Sequence, residues 1–191
     1  MLLQEVYKTV EVAWGVLGKQ IKICELGNQL MKWRPEGVAK RYFLNNGALE
    51  HVSIDLNGKH GAIRLDLRTD LIVLNPNLKS YFDLVTNFGT TEHVDNQYMV
   101  FKNIDNFTKV NGVMIHTVPI IGTWRGHCNY HYSNDFFVNL SSAANYRVVF
   151  NELILIGGRV DRTLISSVLI KQKEDFVGEL EFEKISKIVK G

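Results

Sequence analysis

Short apolar runs alternate along this chain with segments of helical periodicity, and this alternation constrains the fold more than any other feature. Strands separated by helices favour βαβ units, in which the strands are parallel and helices cover both faces of the sheet. The last two runs are joined by IGGRVDRT, which is too short for a parallel crossover. We therefore predict a doubly wound α/β sheet, mostly parallel, with an antiparallel last strand. Its seven predicted strands are IKICEL, LEHVSIDL, AIRLDL, YFDLVTNFG, GVMIHTVP, YRVVFNELIL and LISSVLIKQ.

Four segments are predicted to form the helices that cover this sheet. Their bounds are taken from the spacing of apolar residues and from capping residues. The tail EKISKIVKG is basic and is expected to be a frayed end. The predicted helices are residues 2–17, a segment from Pro35 to Asn46-Gly47, a segment from residue 96 that is stopped by Asn111-Gly112, and a segment that starts at Ser133.

Composition narrows the class of protein. The chain has 191 residues, 46% hydrophobic and 22% charged, which fits one domain over residues 1–191. A net charge of +2 is too small to indicate a positively charged surface for binding nucleic acid, so no nucleic-acid partner is expected. Cys24 and Cys128 lie far apart in the sequence, and no signal-peptide pattern is recognised. We therefore expect both to be free thiols in a reducing cytoplasm. No apolar run approaches the roughly 20 residues of a membrane span, so no membrane partner is expected.

Polar residues fall where the predicted strands end. Ligands of such sheets bind outside the carboxyl ends of the strands, so these residues are candidates for one binding site. Taken singly, a carboxylate after a strand is also typical of a helix cap or a turn. The residues are Glu25, Asp55, Asp66, Asn87 and His116.

The turn after the first strand has one glycine, Gly27, whereas a dinucleotide fingerprint needs G-x-G-x-x-G. Glu25 places negative charge where a pyrophosphate would lie, which favours a cation. Asp55 is positioned to bind both hydroxyls of a ribose through its two oxygens. A ligand with a ribose, an adenine and a positive charge but no phosphate is S-adenosylmethionine.

Residues 82–119 resemble the central block of class I S-adenosylmethionine-dependent methyltransferases. The match is to their small-molecule branch, including the ubiquinone-pathway O-methyltransferases. HYSNDFFVNLSSAANYRVV is similar to the next family segment, and the resemblance extends over about residues 21–170. The elements that carry it are Asp83, Glu92-His93-Val94, Asn111-Gly112 and Val118-Pro119.

The resemblance implies a Rossmann-like domain with S-adenosylmethionine as cofactor. Two departures from the family are visible: Asn28 and Gln29 replace glycines, and the helix between the second and third strands is reduced to a turn around Asn57-Gly58. By resemblance, the cofactor residues are Glu25 and Gly27 at the methionine end, Asp55 at the ribose, Leu56, Asp66 and Leu67 at the adenine, Asn87, Phe88 and Gly89 at the sulfonium, and His93 behind them.

IIGTWRGHCNYHY, residues 120–132, follows the fifth strand and is rich in aromatic and titratable side chains, which favours an acceptor lid. His127 or His131 is a candidate base, because histidine titrates near neutral pH. Either histidine is also typical of a helix cap or a backbone hydrogen bond. His127, Cys128 and His131 lack a fourth ligand and the paired spacing of a zinc site, so no metal is predicted.

We therefore predict methylation of a small molecule, O-methylation ahead of N- or C-methylation. Amino-methylating DNA enzymes carry two prolines where this chain has Thr86-Asn87-Phe88-Gly89, and cytosine-C5 enzymes carry a Pro-Cys pair that is absent here. A non-catalytic interaction protein with the same fold is the alternative, and the altered turn at Asn28-Gln29 favours it.

Overall fold

A six-stranded sheet organises the protein, whose computed structural model describes residues 3–185 and 188–190. The helices are α1 (Tyr7–Leu17), α2 (Ala39–Asn45), α3 (Leu71–Leu74), α4 (Gln97–Phe107), α5 (Phe136–Ala144) and α6 (Glu179–Ile185). The strands are β1 (Ile21–Leu26), β2 (Leu30–Met31), β3 (Gly37–Val38), β4 (Ala48–Ile54), β5 (Phe82–Phe88), β6 (Thr108–Pro119), β7 (Tyr130–Tyr132), β8 (Tyr146–Leu155), β9 (Thr163–Lys171) and β10 (Ile188–Lys190).

The main sheet has the order β4-β1-β5-β6-β9-β8. Strands β4, β1, β5 and β6 are parallel to one another, and β9 is antiparallel to both of its neighbours. The prediction of a mostly parallel sheet with an antiparallel last strand is therefore confirmed. Because the parallel strands share one direction, their carboxyl ends meet at one edge, which is the edge where ligands of such sheets bind.

The predicted third strand, residues 62–67, does not form, so the prediction of seven strands is wrong by this one. Only Ile63 bridges to β4: its N–H donates to Ser53 O at 2.8 Å, and its carbonyl accepts from Asp55 N at 3.1 Å. A parallel crossover needs about a dozen residues or more. The connection from β4 holds only a short 3-10 turn, Lys59–Gly61, so the chain cannot complete a further paired strand.

Helices cover both faces of the sheet, as a doubly wound architecture requires. Successive residues of a strand point to opposite faces, so Ile23 packs with α1 and α2 while Cys24 and Leu26 pack with α4, α5 and α6. On the face covered by α4, α5 and α6 the core is strongly aromatic, with Phe101 and Phe136 buried between the helices. Two buried layers thus fix the sheet and leave its carboxyl edge open.

Three helix starts differ from the prediction by more than one residue. α1 begins at Tyr7, after the 3-10 turn Gln4–Val6, rather than at residue 2, which lies outside the described residues. α2 begins at Ala39 rather than Pro35, because Gly37–Val38 pairs with β2 as a two-residue strand. α5 begins at Phe136, whose N–H donates to Ser133 O, so Ser133 precedes the helix by three residues. Strands of two residues carry no periodicity, which is why the sequence pattern assigns them to the neighbouring helix.

α4 ends at Phe107, four residues before the predicted stop, and β6 begins at once. Asn111 and Gly112 instead form an irregularity inside β6, where Asn111 has a φ of +66° and the pairing with β5 shifts between Phe82 and Leu84. A Cβ on Gly112 would lie 2.8 Å from Lys109 O. The glycine is therefore required by a bulge in a strand and not by the end of a helix.

The C-terminal segment, residues 183–191, was expected to be frayed, but its described residues belong to a helix and a strand. β10 pairs antiparallel with β7, and residues 183–185 belong to α6. The tail residues Ser186, Lys187 and Gly191 lie outside the described residues. Within the described part of the chain, no helix combines the length and the apolar character needed to cross a membrane.

Candidate functional site

The turn after β1 is held by contacts that leave no room for a side chain at Gly27. Its φ is +75°, and a Cβ there would lie 2.5 Å from Thr90 Oγ1 and 2.8 Å from Gln29 Nε2. Thr90 Oγ1 and Gln29 Nε2 both donate to Leu26 O, at 2.8 and 3.2 Å. Gly27 N donates to Ile54 O at 2.9 Å. The turn is thus tied to the ends of both neighbouring strands, and glycine is required there.

A first cavity of about 440 Å³ lies above this turn, at the carboxyl ends of β1, β4 and β5. Its volume is within the range of about 300–1,000 Å³ that small-molecule sites occupy. Seven of the ten residues predicted to bind the cofactor line it: Gly27, Asp55, Leu56, Asp66, Leu67, Gly89 and His93. The other lining residues are Asn28, Gln29, Ile54, Leu65, Arg68, Thr90, Val94 and Asp95.

Asp55 follows directly after β4, and backbone amides fix its carboxylate. Oδ2 accepts from Asn28 N at 3.0 Å, and Oδ1 accepts from Asn57 N at 2.9 Å. A carboxylate oxygen has two lone pairs, so each oxygen retains one for a ligand. The side chain is therefore oriented before a ligand arrives and can still accept two hydroxyl groups.

Negative charge exceeds positive charge on the wall of the first cavity, which carries the carboxylates of Asp55, Asp66 and Asp95 and the single guanidinium of Arg68. Arg68 Nη2 lies 2.7 Å from Asp66 Oδ2, and its hydrogen bonds lower the pKa of Asp66. Such a wall attracts cations and repels a ligand with several phosphates.

Glu25 lies beneath the turn. It does not line the first cavity, nor the second cavity that adjoins it. It is 1% exposed, and its Oε2 accepts from Ser53 Oγ at 3.0 Å and from Gln29 N at 3.4 Å. His51 Nε2 lies 3.9 Å away. Burial raises the pKa of Glu25 to about 8. In this position the carboxyl supports the turn from below instead of contacting the cavity.

Asn87 is also buried under the rim. Its Oδ1 accepts from the backbone N–H groups of Thr90 and Thr91 at 3.2 and 3.1 Å, which holds the loop after β5. Its Nδ2 lies 3.3 Å from His116 Nδ1. His116 stacks on Phe137, and burial lowers its pKa to about 3. These two strand-end residues thus serve the core and the loop.

A second cavity of about 170 Å³ adjoins the first, and Gly89 lines both. The predicted residue Phe88 lies on its wall. The walls are mostly apolar and are formed by residues that precede α1, by the end of β5 and the loop after it, by β6, by residues 120–132 and by β9. The complete lining is Leu3, Val6, Phe88, Gly89, Glu92, Thr117, Pro119, Trp124, His127 and Leu164.

The two predicted base candidates occupy different environments. His127 is exposed and lines the second cavity, with its ring centroid 5.2 Å from Trp124 and 5.5 Å from His93. His131 is buried in β7, where its Nε2 lies 3.4 Å from Cys128 Sγ, and it lines neither cavity. Among the residues that the structure describes, no three His, Cys, Asp or Glu side chains are arranged to hold a metal ion.

Glu92 is the titratable residue on the second cavity that the site prediction omits. It is 3% exposed, and its Oε2 has no hydrogen-bond partner among the described residues. Burial raises its pKa to about 8. The sequence places a polar stretch around it, Thr90-Thr91-Glu92-His93, which gives no sign of burial. Its burial comes from tertiary packing and is visible only in the fold.

Solved structures of the same fold include S-adenosylmethionine-dependent methyltransferases. A Burkholderia thailandensis 1,6-didemethyltoxoflavin-N1-methyltransferase, solved with 1,6-didemethyltoxoflavin and S-adenosylhomocysteine, has a TM-score of 0.62 at 12% identity, covering 89% of this chain and 79% of that one. A Mesorhizobium loti S-adenosylmethionine-dependent methyltransferase has a TM-score of 0.62 at 13% identity, covering 86% and 96%. The [4+2]-cyclase SpnF has a TM-score of 0.61 at 10% identity, covering 87% and 81%.

Sequence comparison adds no closer relative, since no protein-family model matches the chain and no curated protein matches it significantly. Identities of 10–13% over most of the chain establish a shared architecture and nothing finer. The chain therefore has the Rossmann-like α/β fold of the class I methyltransferases.

Proposed function

We propose that this protein is an S-adenosylmethionine-dependent methyltransferase that acts on a small molecule. The observation that carries the proposal is the pair of adjoining cavities at the carboxyl edge of the sheet, one polar and negatively charged and one apolar, which share Gly89. Methyl transfer from a sulfonium is an in-line displacement, so donor and acceptor must occupy neighbouring sites that meet at the methyl group.

The first cavity is the proposed cofactor site. Asp55 accepts the two ribose hydroxyls with its pre-oriented oxygens, and Gly27 lets the backbone approach the methionine portion. The wall carboxylates favour the positively charged sulfonium. In this proposal Leu56 flanks the adenine, and Asp66 and Leu67 lie at its amino edge. The Burkholderia neighbour supports the assignment, because a protein of the same fold holds S-adenosylhomocysteine.

The second cavity is the proposed acceptor site, and a hydroxyl group is the first choice of acceptor. O-methylation requires that the hydroxyl lose its proton as the methyl group arrives. The wall of this cavity carries two side chains that can take up a proton, His127, which the sequence predicts, and Glu92, which it does not. His131 contacts Cys128 and is left out of the proposal. The named activity of the Burkholderia neighbour, N-methylation of a small molecule, supports a small acceptor.

Calorimetric titration with S-adenosylhomocysteine tests the cofactor assignment. We expect saturable binding and a raised melting temperature. Asp55→Ala should weaken binding by about 1.5–3 kcal/mol, the scale for hydrogen bonds to a charged group. Asp161→Ala is the matched control, because Asp161 is an exposed, ion-paired aspartate outside the first cavity. Equal affinity in wild type and Asp55→Ala would show that Asp55 does not bind the ribose.

A non-catalytic interaction protein with this fold is the second candidate. The observation that favours it is the turn itself, where the side chain of Gln29 fills space against Leu26 O and Thr90 Oγ1. A folded wild-type protein that binds neither S-adenosylmethionine nor S-adenosylhomocysteine would favour this candidate.

A further inference from the structure

We propose that the second cavity binds a single-ring molecule that carries a hydroxyl or N–H group, and that Glu92 is the residue that selects it by accepting a hydrogen bond from that group. The inference rests on the proposed methyltransferase function and defines the chemical class of its acceptor. It assigns a recognition role to a residue that the site prediction omits.

Position is the first argument. Glu92 lines the second cavity, and its carboxyl lies beside the residue that both cavities share: a Cβ built on Gly89 would be 3.1 Å from Glu92 Oε1. A polar group bound to this carboxyl therefore lies near the boundary with the cofactor site. That boundary is where an acceptor atom must be for methyl transfer.

The unpaired state of the carboxyl is the second argument. Buried polar atoms almost always have a hydrogen-bond partner, because leaving one unpaired costs about 1–3 kcal/mol. Glu92 Oε2 is buried and has none among the described residues. Trp124 Nε1, a donor on another residue of this wall, is also buried and unpaired within the described part of the chain. A ligand with a donor and an acceptor group would satisfy both atoms.

The volume of the second cavity and the chemistry of its wall further define the class of molecule that it can bind. A cavity of about 150 Å³ with apolar walls is known to hold one benzene molecule, so the 170 Å³ found here fits one ring with a small substituent. Phe88, Pro119 and Leu164 contribute apolar surface to this wall. A bulky or highly charged acceptor would exceed the space or leave its charges unpaired.

Within the described part of the chain, no Lys or Arg side chain forms an ion pair with Glu92 or lines this cavity. Cys128 and Tyr132 are titratable neighbours of Glu92, and burial raises the pKa of Cys128 to about 11 and that of Tyr132 well above its ordinary value. Both are therefore neutral at physiological pH. His127 lies at the exposed side of the same wall. Because Oε2 has no partner among the residues that the structure describes, the carboxyl is available to a ligand's hydrogen-bond donor.

Binding of two isosteric probes, phenol and toluene, to the protein saturated with S-adenosylhomocysteine tests the inference. Phenol has the hydroxyl donor and toluene has a methyl group of similar size. We expect wild type to bind phenol at least about fivefold more tightly than toluene, measured by ligand-observed NMR. Glu92→Leu should reverse the preference, because the hydroxyl is then buried without a partner. Glu92→Gln keeps an acceptor oxygen and should retain it.

The inference is overturned if wild type does not prefer phenol, or if Glu92→Leu keeps the preference for phenol. Thermal unfolding of each variant shows that the comparison is made on folded protein, and Glu92→Gln provides a second variant of nearly unchanged shape. Failure of S-adenosylhomocysteine to bind wild type would instead count against the proposed function. The two failures are therefore distinguishable.

Discussion

Glu25 and Glu92 are two buried glutamates at the same edge of the sheet, and their surroundings differ. They are 1% and 3% exposed, and burial raises the pKa of each to about 8. Each carboxyl has one oxygen without a partner among the described residues, Glu25 Oε1 and Glu92 Oε2, while Glu25 Oε2 accepts hydrogen bonds from Ser53 and Gln29. Burial and a raised pKa are thus shared by a group that supports a turn and a group that can bind a ligand. Their positions distinguish them, because Glu92 lines the second cavity and Glu25 lines neither cavity.

The largest effect should come from the glycines beside these glutamates. Gly27→Ala should cost about 2–4 kcal/mol of unfolding free energy, since a positive φ is combined with a Cβ 2.5 Å from Thr90 Oγ1. Gly89→Ala has a similar φ but meets only the flexible end of Glu92 at 3.1 Å, so about 1–3 kcal/mol is expected.

Denaturant unfolding measures both losses. Gly18→Ala is the matched control, because Gly18 has a φ of +74° and no atom within 4 Å of a Cβ. It isolates the backbone cost. If Gly27→Ala were no less stable than Gly18→Ala, the close packing of the turn would not matter to its stability.

The next effect separates the glutamates directly. Glu25→Ala should lose about 1–3 kcal/mol of unfolding free energy, because Ser53 and Gln29 lose their buried acceptor. Glu25→Gln keeps an acceptor oxygen and should lose less. Glu92→Ala leaves no donor of another described residue unpaired, so its loss should be smaller than that of Glu25→Ala. The opposite order in a denaturation series would mean that Glu92 has the structural role.

The last predicted effect is in the pH dependence of stability. The pKa of Glu92 is about 8 in the folded state and about 4.5 in the unfolded state, so folding retains a proton between these values. Its contribution is complete below about pH 4.5 and is lost as the pH rises towards 8. Between pH 5 and 8, Glu92→Gln should therefore lose less stability than wild type, by up to a few kcal/mol at about 1.4 kcal/mol per unit of pKa difference.

Denaturant unfolding at several pH values gives this difference. His51 has a pKa lowered to about 4 by burial, so its contribution changes in the opposite sense, but it is common to both proteins and cancels. Identical pH profiles for the two proteins would mean that Glu92 is solvated in the folded state.

Sequence patterns predicted the features that depend on local order. Alternating strands and helices define the sheet, and strand ends place Asp55 and Gly27 at its carboxyl edge, where both line the first cavity. Features that depend on distant contacts were missed. The burial of Glu92 is set by residues far along the chain, and the pairing of β7 with β10 joins two three-residue strands without any periodic signal.

Short-range signals also failed where one residue type serves two purposes. Asn111-Gly112 predicted a helix stop because glycine commonly follows helices, but here it permits a bulge in β6. The run AIRLDL has the alternation of a strand, yet the chain before it is too short to form a crossover. Pattern alone does not count the residues needed to reach a partner.

The pairing of β7 with β10 has a consequence for motion. β7 closes residues 120–132 at their base, since Ile121 N donates to Tyr132 O at 3.0 Å, and this segment carries Trp124 and His127 to the second cavity. A ribbon of two three-residue strands opens at lower free energy than a six-stranded sheet with two buried faces. We expect the amides of β7 to exchange with deuterium well before those of β1 and β5. The strands beneath the first cavity would then stay paired on the timescale on which residues 120–132 move and open the second cavity to a ring-shaped ligand.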